Sequence, residues 1–172
     1  MPTIGVALAI PEPWATELQD YRTSVGDAMA ATIPTHITLV PPTEVTDEEL
    51  EEIEEHLAAV ATEVSAFEVH LRGTGTFRPV SPVVFVTVVE GISQCEQLAA
   101  AVRRGPLDVA LAFPYHPHVT IAHHVSAGRL DQAFDELADF ECEFDVEDFH
   151  LYVHDHDLGW TPTRFFPLRP GT

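Results

Sequence analysis

The sequence predicts one domain of mixed helices and strands, built as two related lobes around a cleft. Its 172 residues are 45% hydrophobic and 21% charged, enough apolar content for a sizeable core. The order strand, helix, short histidine-bearing strand, helix, strand occurs twice. In the first copy 32 residues separate Ile4 from His36, and in the second 33 separate Phe85 from His118. We therefore predict a single domain over 1–172, with lobe one near 1–82, lobe two near 83–172, and the option that the lobes exchange strands.

Apolar patterning and chain breakers place the elements of the first half. Its first strand is β-prone and ends at Pro11, and its first helix repeats apolar residues at spacings of three and four. Thr46, followed by three acidic residues, is typical of a helix N-terminus. The predicted strands are 4–10, 35–40 and 67–73, and the predicted helices are 12–31 and 46–63.

The second half follows the same pattern after a loop. Residues 73–82 contain two glycines and two prolines, which favours an irregular connection. Thereafter strands are predicted over 83–89, 118–122 and 142–153, and helices over 92–103 and 129–138. The tail, 158–172, is expected to add a last strand or to pack over the core.

The charge of the chain restricts its partners. Eight cations, all arginine, face 28 acidic residues, for a net charge of −20. Such a surface repels phosphate backbones and lacks the basic stripe of proteins that bind long nucleic acids, so only a small site for a terminus or short piece is expected. A salt-adapted or GC-rich genome is an equally good explanation of the charge.

The sequence also predicts the cellular compartment, the absence of a membrane partner and the state of the cysteines. No stretch approaches the roughly 20 apolar residues of a membrane span, and no basic region opens the chain, so we expect a cytoplasmic protein with no membrane partner. Cys95 and Cys142 form no C-x-x-C motif and are expected to be ordinary buried or half-buried thiols. The oligomeric state stays open.

Two short segments carry the chemistry: His36-Ile37-Thr38-Leu39 and His118-Val119-Thr120-Ile121. Because side chains alternate along a strand, each segment presents one imidazole and one hydroxyl on a common face. Two copies of this pattern arise by chance in roughly two per cent of such sequences. The alternative is two unrelated strands with histidines that face solvent.

Two imidazoles and two hydroxyls around one pocket suit a phosphodiester or a cyclic phosphate. One neutral imidazole can accept a proton from the attacking oxygen, and one imidazolium can donate a proton to the departing oxygen. The threonine hydroxyls can donate hydrogen bonds to the non-bridging oxygens. No metal or other cofactor is needed for this chemistry.

The paired motifs, 82 residues apart in duplicated lobes, resemble those of the two-histidine phosphoesterase superfamily, most closely its 2′-5′ RNA ligase branch. The resemblance covers nearly the whole chain. It implies an α+β fold of two lobes, with antiparallel sheets and flanking helices around a central cleft. It also implies metal-independent hydrolysis or formation of 2′,3′-cyclic or 2′-5′ phosphodiester bonds, with His36 and His118 as the acid/base pair and Thr38 and Thr120 as phosphate ligands.

One position departs from the pattern of that superfamily. Its second motif often has an arginine five residues after the histidine, where this chain has His123. A fixed positive charge near the site is thereby removed. His123 itself is a candidate for lining the pocket, although which of the two motif histidines is the acid stays open.

Further candidates lie near the motifs. Arg78, in the glycine- and proline-rich loop, could reach a phosphate or form a surface ion pair, and Tyr115 could stack on a base or pack internally. A metal site is an alternative use of the remaining imidazoles, since imidazole and carboxylate in such density suit zinc or iron. The side chains concerned are His116, His123, His124, His154, Asp155 and His156, together with His118.

The sequence therefore predicts a metal-independent phosphoesterase that acts on 2′,3′-cyclic phosphate or 2′-5′ bonds of nucleotides or short RNA ends. Hydrolysis is favoured over ligation in the cell. Ligation is the reverse reaction and needs no nucleotide triphosphate motif, and the chain has neither a phosphate-binding loop of the G-x-x-x-x-G-K-[ST] type nor any lysine to accept an adenylate. The alternative is a module on the same fold that binds a nucleotide or RNA end without turnover.

Overall fold

The computed structural model describes residues 1–171, which form eight strands and four α-helices. The strands are β1 (Thr3–Ala9), β2 (His36–Glu44), β3 (Phe67–Thr76), β4 (Val83–Glu90), β5 (His118–His123), β6 (Glu141–Val146), β7 (Asp148–Asp155) and β8 (Gly159–Pro167). The helices are α1 (Trp14–Ser24), α2 (Asp47–Glu63), α3 (Ile92–Val102) and α4 (Ala127–Glu136). Two short 3₁₀ turns cover Ala28–Ala31 and Gly105–Leu107.

The strands form two antiparallel sheets, in the orders β2-β1-β7-β8 and β5-β4-β3-β6. The α+β class with antiparallel sheets is thereby confirmed. The sheets do not follow the halves of the chain: β3 lies in the second sheet, and β7 and β8 lie in the first. Both histidine-bearing strands, β2 and β5, are edge strands, and they contact each other across the gap between the sheets. The two motifs therefore meet without sharing a sheet.

The strands and helices each bury one face, as their sequence patterns require. In β6, buried Cys142, Phe144 and Val146 alternate with exposed acidic residues. In α2, a capping box between Thr46 and Glu49 begins the helix. Its apolar face packs into the core, while the acidic run of the same helix is largely turned to solvent.

The first helix is shorter than predicted. It ends at Ser24, because Gly26 takes the left-handed conformation (φ +86°) that stops helices, and the predicted remainder forms the 3₁₀ turn Ala28–Ala31. Asp27 begins that turn, and its side chain accepts a hydrogen bond from Met29 N. The Asp27 side chain also accepts a hydrogen bond from His123 N at the end of β5.

Two strands also run past their predicted ends, and the tail takes one of its two predicted forms. β2 continues through Pro41 and Pro42 to Glu44, which is tolerated because an edge strand needs hydrogen-bond partners on one side only. β3 runs on to Thr76, so the glycine- and proline-rich loop is reduced to 77–82. The tail supplies β8, which extends the first sheet beyond β7.

Candidate active site

The two motif histidines occupy the same local environment. His36 and His118 are each the first residue of an edge strand. Each Nδ1 lies 2.7 Å from a main-chain carbonyl oxygen two residues earlier, that of Pro34 and that of His116 respectively. A carbonyl oxygen can only accept, so Nδ1 carries the hydrogen in both rings. In the neutral imidazoles Nε2 is therefore the unprotonated nitrogen, available to receive a proton.

The threonines follow the alternation of their strands. Ile37, Leu39, Val119 and Ile121 are fully buried, and the histidine and threonine of each motif lie on the opposite, half-buried face. Thr38 Oγ1 lies 3.1 Å from His36 Nε2. Since neutral Nε2 accepts, the Thr38 hydroxyl donates this bond. Both hydroxyls line the pocket described next.

A cavity of about 310 Å³ opens in front of the first motif. Its lining is largely apolar with a few polar side chains, a composition typical of small-molecule sites. His118 is not among the lining residues; its ring packs against Phe77 and Phe85, at 4.9 and 5.2 Å between centroids. The polar side chains of the lining are Arg22, His36, Thr38, Thr120 and His123, with Tyr152 and Trp160 adding a hydroxyl and an indole N–H.

Burial lowers the pKa of both motif imidazoles. For His36, desolvation is the main cause, opposed by the bond to the Pro34 carbonyl. For His118, desolvation, with smaller contributions from His116 and His36, lowers the pKa to about 4. Both rings are therefore neutral at pH 7 in the empty pocket, and a bound anion would favour the protonated form of either one.

A buried arginine that the sequence analysis missed also lines the pocket. Arg22, in the last turn of α1, is 5% exposed, and its Nε lies 2.6 Å from Asp27 Oδ2. Asp27 Oδ2 also accepts from His123 N at 3.0 Å. The signal was present in the sequence: Arg22 follows Leu18 by four residues, which puts a cation on the apolar face of the helix.

The three remaining candidates occupy different surroundings. His123 lines the pocket at the end of β5, and burial lowers the pKa of its imidazole. Tyr115 donates its hydroxyl hydrogen to Thr38 O at 2.7 Å. Arg78 forms an ion pair with Asp131 at 2.8 Å and does not line the pocket.

The other histidines do not assemble into a metal site. Among residues 1–171, no group of three histidine, cysteine, aspartate or glutamate side chains could hold a metal ion. His116 packs edge-on against Phe77, and His123 stacks on His124 at 3.7 Å between centroids. Asp155 accepts two main-chain hydrogen bonds within the β7–β8 turn.

Comparison with known proteins assigns the family. The family model described as the 2′-5′ RNA ligase superfamily matches residues 10–158. The chain belongs to the 2′-5′ RNA ligase superfamily. A Bacillus cytotoxicus member, named "Putative phosphoesterase", is 30% identical over 153 residues, covering 85% of this chain and 86% of that protein.

Solved structures agree with this assignment at the level of the fold. Escherichia coli LigT complexed with 3′-AMP has a TM-score of 0.73 at 20% identity, covering 98% of this chain and 99% of its own. The Thermus thermophilus protein TT0787 has a TM-score of 0.70 at 23% identity over the full length of both chains. The chain thus has a two-lobed α+β fold like that of LigT. Within residues 1–171, no helix is both long and apolar enough to cross a membrane.

Proposed function

We propose that this member of the superfamily is a metal-independent phosphoesterase that acts on 2′,3′-cyclic phosphate or 2′-5′ phosphodiester bonds of nucleotides or short RNA ends. The observation that carries the proposal is the matched pair of imidazoles, His36 and His118, with their Nδ1 hydrogens bound to main-chain carbonyls. This bond leaves Nε2 of each ring as the group that exchanges protons. One imidazole can then act as the base and the other as the acid in the same reaction.

For a cyclic phosphate the step balances with these groups alone. A water oxygen attacks phosphorus, and its proton passes to the neutral Nε2 of one imidazole. The bond from phosphorus to one ribose oxygen breaks, and that oxygen takes a proton from the other ring, present as imidazolium. Thr120 donates a hydrogen bond to a non-bridging oxygen as its charge increases, and Thr38 does the same once its hydroxyl turns away from His36 Nε2, which frees Nε2 for the proton. The product is a phosphomonoester.

The shape of the site favours a nucleotide over a bare phosphate ester. A second cavity of about 380 Å³ shares Ile33, Pro34, Tyr152 and Trp160 with the first. An aromatic wall beside the phosphate chemistry offers a surface on which a base can stack. LigT, of the same fold, has been solved with 3′-AMP, NADP+ and ATP. The proposed partner is therefore a nucleotide or a short RNA terminus.

The test is product analysis with a substrate panel. EDTA-treated protein, His36→Ala and His118→Ala are incubated with 2′,3′-cyclic nucleotides and 2′-5′ dinucleotides, and the products are separated by chromatography. We expect turnover that survives EDTA and falls by about 10² to 10⁴ in each variant, because each variant lacks one proton-transfer group. Turnover that EDTA abolishes would contradict the metal-independent mechanism.

The same panel separates the enzyme from a binding module that does not turn over. A module would bind the nucleotides and return them unchanged, whereas the enzyme should show a bell-shaped pH–rate profile that loses one limb in each histidine variant. Arg78→Gln belongs in the panel as well. A fall in kcat/KM would indicate that Arg78 binds the substrate. An unchanged value would indicate that Arg78 serves only in its surface ion pair with Asp131.

A further inference from the structure

Arg22 differs from the other cations of the chain in its burial. In the part of the chain that the structure describes, Arg22 and Asp27 are the two buried charged residues, at 5% and 4% exposure. A buried charge is expensive unless it is paired, and Asp27 supplies the pair. Of the eight cations of the chain, Arg22 is the one that lies in the interior of residues 1–171, and it lines a pocket there. Stability alone is a weak reason for this placement.

Asp27 fixes the plane of the guanidinium. One carboxylate oxygen accepts from Arg22 Nε at 2.6 Å and from His123 N at 3.0 Å, and the other accepts from Met29 N at 2.9 Å. The carboxylate is thus held by the 3₁₀ turn after α1 and by the end of β5. Arg22 is held in turn, next to the strand that carries the second motif.

The two Nη groups of Arg22 are left for another partner. Across residues 1–171, the side-chain hydrogen bond that Arg22 makes runs through Nε to Asp27, and neither Nη donates to a protein acceptor. Arg22 lines the 310 Å³ cavity together with His36, Thr38 and Thr120. A planar pair of N–H donors with a full positive charge matches two oxygens of a phosphoryl group.

We propose that Arg22 is the anion-binding residue of this pocket, donating from its Nη groups to the non-bridging oxygens of the substrate phosphate while Asp27 positions it. The inference rests on the proposed function and adds a specific recognition group to it. It also gives His123, which stands where the superfamily often has an arginine, a different role. The fixed positive charge missing from the second motif is supplied by α1, and the main-chain N–H of His123 helps to hold it in place.

The charge of Arg22 reaches the reacting groups. It contributes to the lowered pKa of His36 and of His123, as a cation close to both rings must. A phosphate bound between Arg22 and the imidazoles would cancel this repulsion. Arg22 thus places a positive charge beside both rings without requiring a protonated histidine, in a protein whose net charge is −20.

The experiment is calorimetric binding of 3′-AMP, with adenosine as the uncharged control ligand. The proteins are the wild type, Arg22→Lys, the double variant Arg22→Gln/Asp27→Asn, and Arg129→Gln as a control for the loss of one exposed cation. The double variant replaces both buried charges with amides that can hydrogen-bond to each other, so that neither charge is left unpaired. Near-ultraviolet circular dichroism confirms that each protein is folded.

We expect the Kd for 3′-AMP to rise about 10- to 100-fold in the double variant, the effect of losing charge-assisted hydrogen bonds, and severalfold in Arg22→Lys, which keeps the charge without the planar pair of donors. Arg129→Gln should bind like the wild type, and adenosine binding should not change. Wild-type affinity in both Arg22 variants, or in Arg22→Lys alone if the double variant does not fold, would overturn the inference. A wild-type protein that does not bind 3′-AMP would also overturn the inference.

Turnover of the cyclic nucleotide panel keeps the two proposals apart. Lost 3′-AMP binding in the Arg22 variants of a protein that turns over no member would uphold the anion site and reject the enzyme. If the wild type turns over the panel and the Arg22 variants do so equally well, the enzyme would be upheld and the anion site rejected.

Discussion

Tyr115 Oη donates a hydrogen bond to the main-chain carbonyl oxygen of Thr38, at 2.7 Å. The bond joins the segment that leads into the second motif to the strand that carries the first. Tyr115 is half-buried, and the Arg103 guanidinium lies over its ring, 5.4 Å from the centroid. Its hydroxyl is therefore a direct link between the two motif strands.

Tyr115→Phe should remove this link with little change in shape. We expect a loss of about 0.5 to 1.5 kcal/mol in the free energy of unfolding, measured with urea, and a lower kcat because the two histidines are held less firmly in register. Tyr21→Phe is the matched control, since the Tyr21 hydroxyl lies beside Glu136 of α4 and makes no hydrogen bond to either motif strand. Equal losses of kcat in the two variants would contradict the role given to Tyr115.

The half-buried imidazole of His118 should make the protein less stable in mild acid. Its pKa is about 4 in the folded protein and near 6.5 when unfolded, so the unfolded chain binds a proton first as the pH falls. Stability from this group is complete above pH 6.5 and declines between pH 6.5 and 4, by about 3 kcal/mol.

Urea unfolding at pH 7 and at pH 4.5 measures this contribution. His118→Asn is the comparison protein, because the asparagine amide can still donate to the His116 carbonyl but does not titrate in this range. The wild type should lose more stability than the variant between the two pH values. An identical loss in both proteins would show that other groups govern the acid sensitivity.

Ligand binding should be accompanied by proton uptake. Both motif imidazoles have pKa values below their usual range in the empty pocket, and a bound phosphate raises the pKa of a nearby imidazole by favouring its charged form. Protons are therefore taken up at pH values between the free and the bound pKa. Calorimetry of 3′-AMP binding at pH 6.5, in buffers of different ionisation enthalpy, should detect up to one proton per ligand. Binding that is independent of the buffer would refute the expected shift.

Trp160 should contribute to binding of the base but not of the phosphate. It lines both cavities, and its ring lies over the backbone of Gly5, where a side chain would come within 3.5 Å of it. Trp160→Leu keeps an apolar wall but removes the aromatic face, so the Kd for 3′-AMP should rise about 5- to 100-fold. Inorganic phosphate serves as the control ligand, and an equal loss of affinity for it would assign Trp160 a structural role instead.

Local features of the sequence predicted the elements and the motifs well. The alternation of His36, Ile37, Thr38 and Leu39 is sufficient to place one imidazole and one hydroxyl on the same face, and Thr46 with its acids marks the start of α2 as the structure has it. These features depend on neighbours in the chain. Their physical causes, side-chain alternation and helix capping, act within a few residues.

Features that depend on distant parts of the chain were not predictable in this way. The strand β2 passes through Pro41 and Pro42 only because it lies at a sheet edge, and edge position follows from pairing. The sequence allows strand exchange between the lobes as an option, but which strands exchange, namely β3, β7 and β8, is decided by pairing. Arg22 became a pocket residue through Asp27 and the main-chain N–H of His123, which lies 96 residues away from Asp27.

The central claim is that His36 and His118 act as one acid/base unit, and a double-variant comparison tests it most directly. Single-turnover rates with a 2′,3′-cyclic nucleotide are measured for His36→Ala, His118→Ala and the variant that carries both. Groups that share one proton-transfer step are strongly non-additive, so the double variant should be within about tenfold of the slower single variant. Losses that multiply, or either single variant at the wild-type rate, would contradict the account.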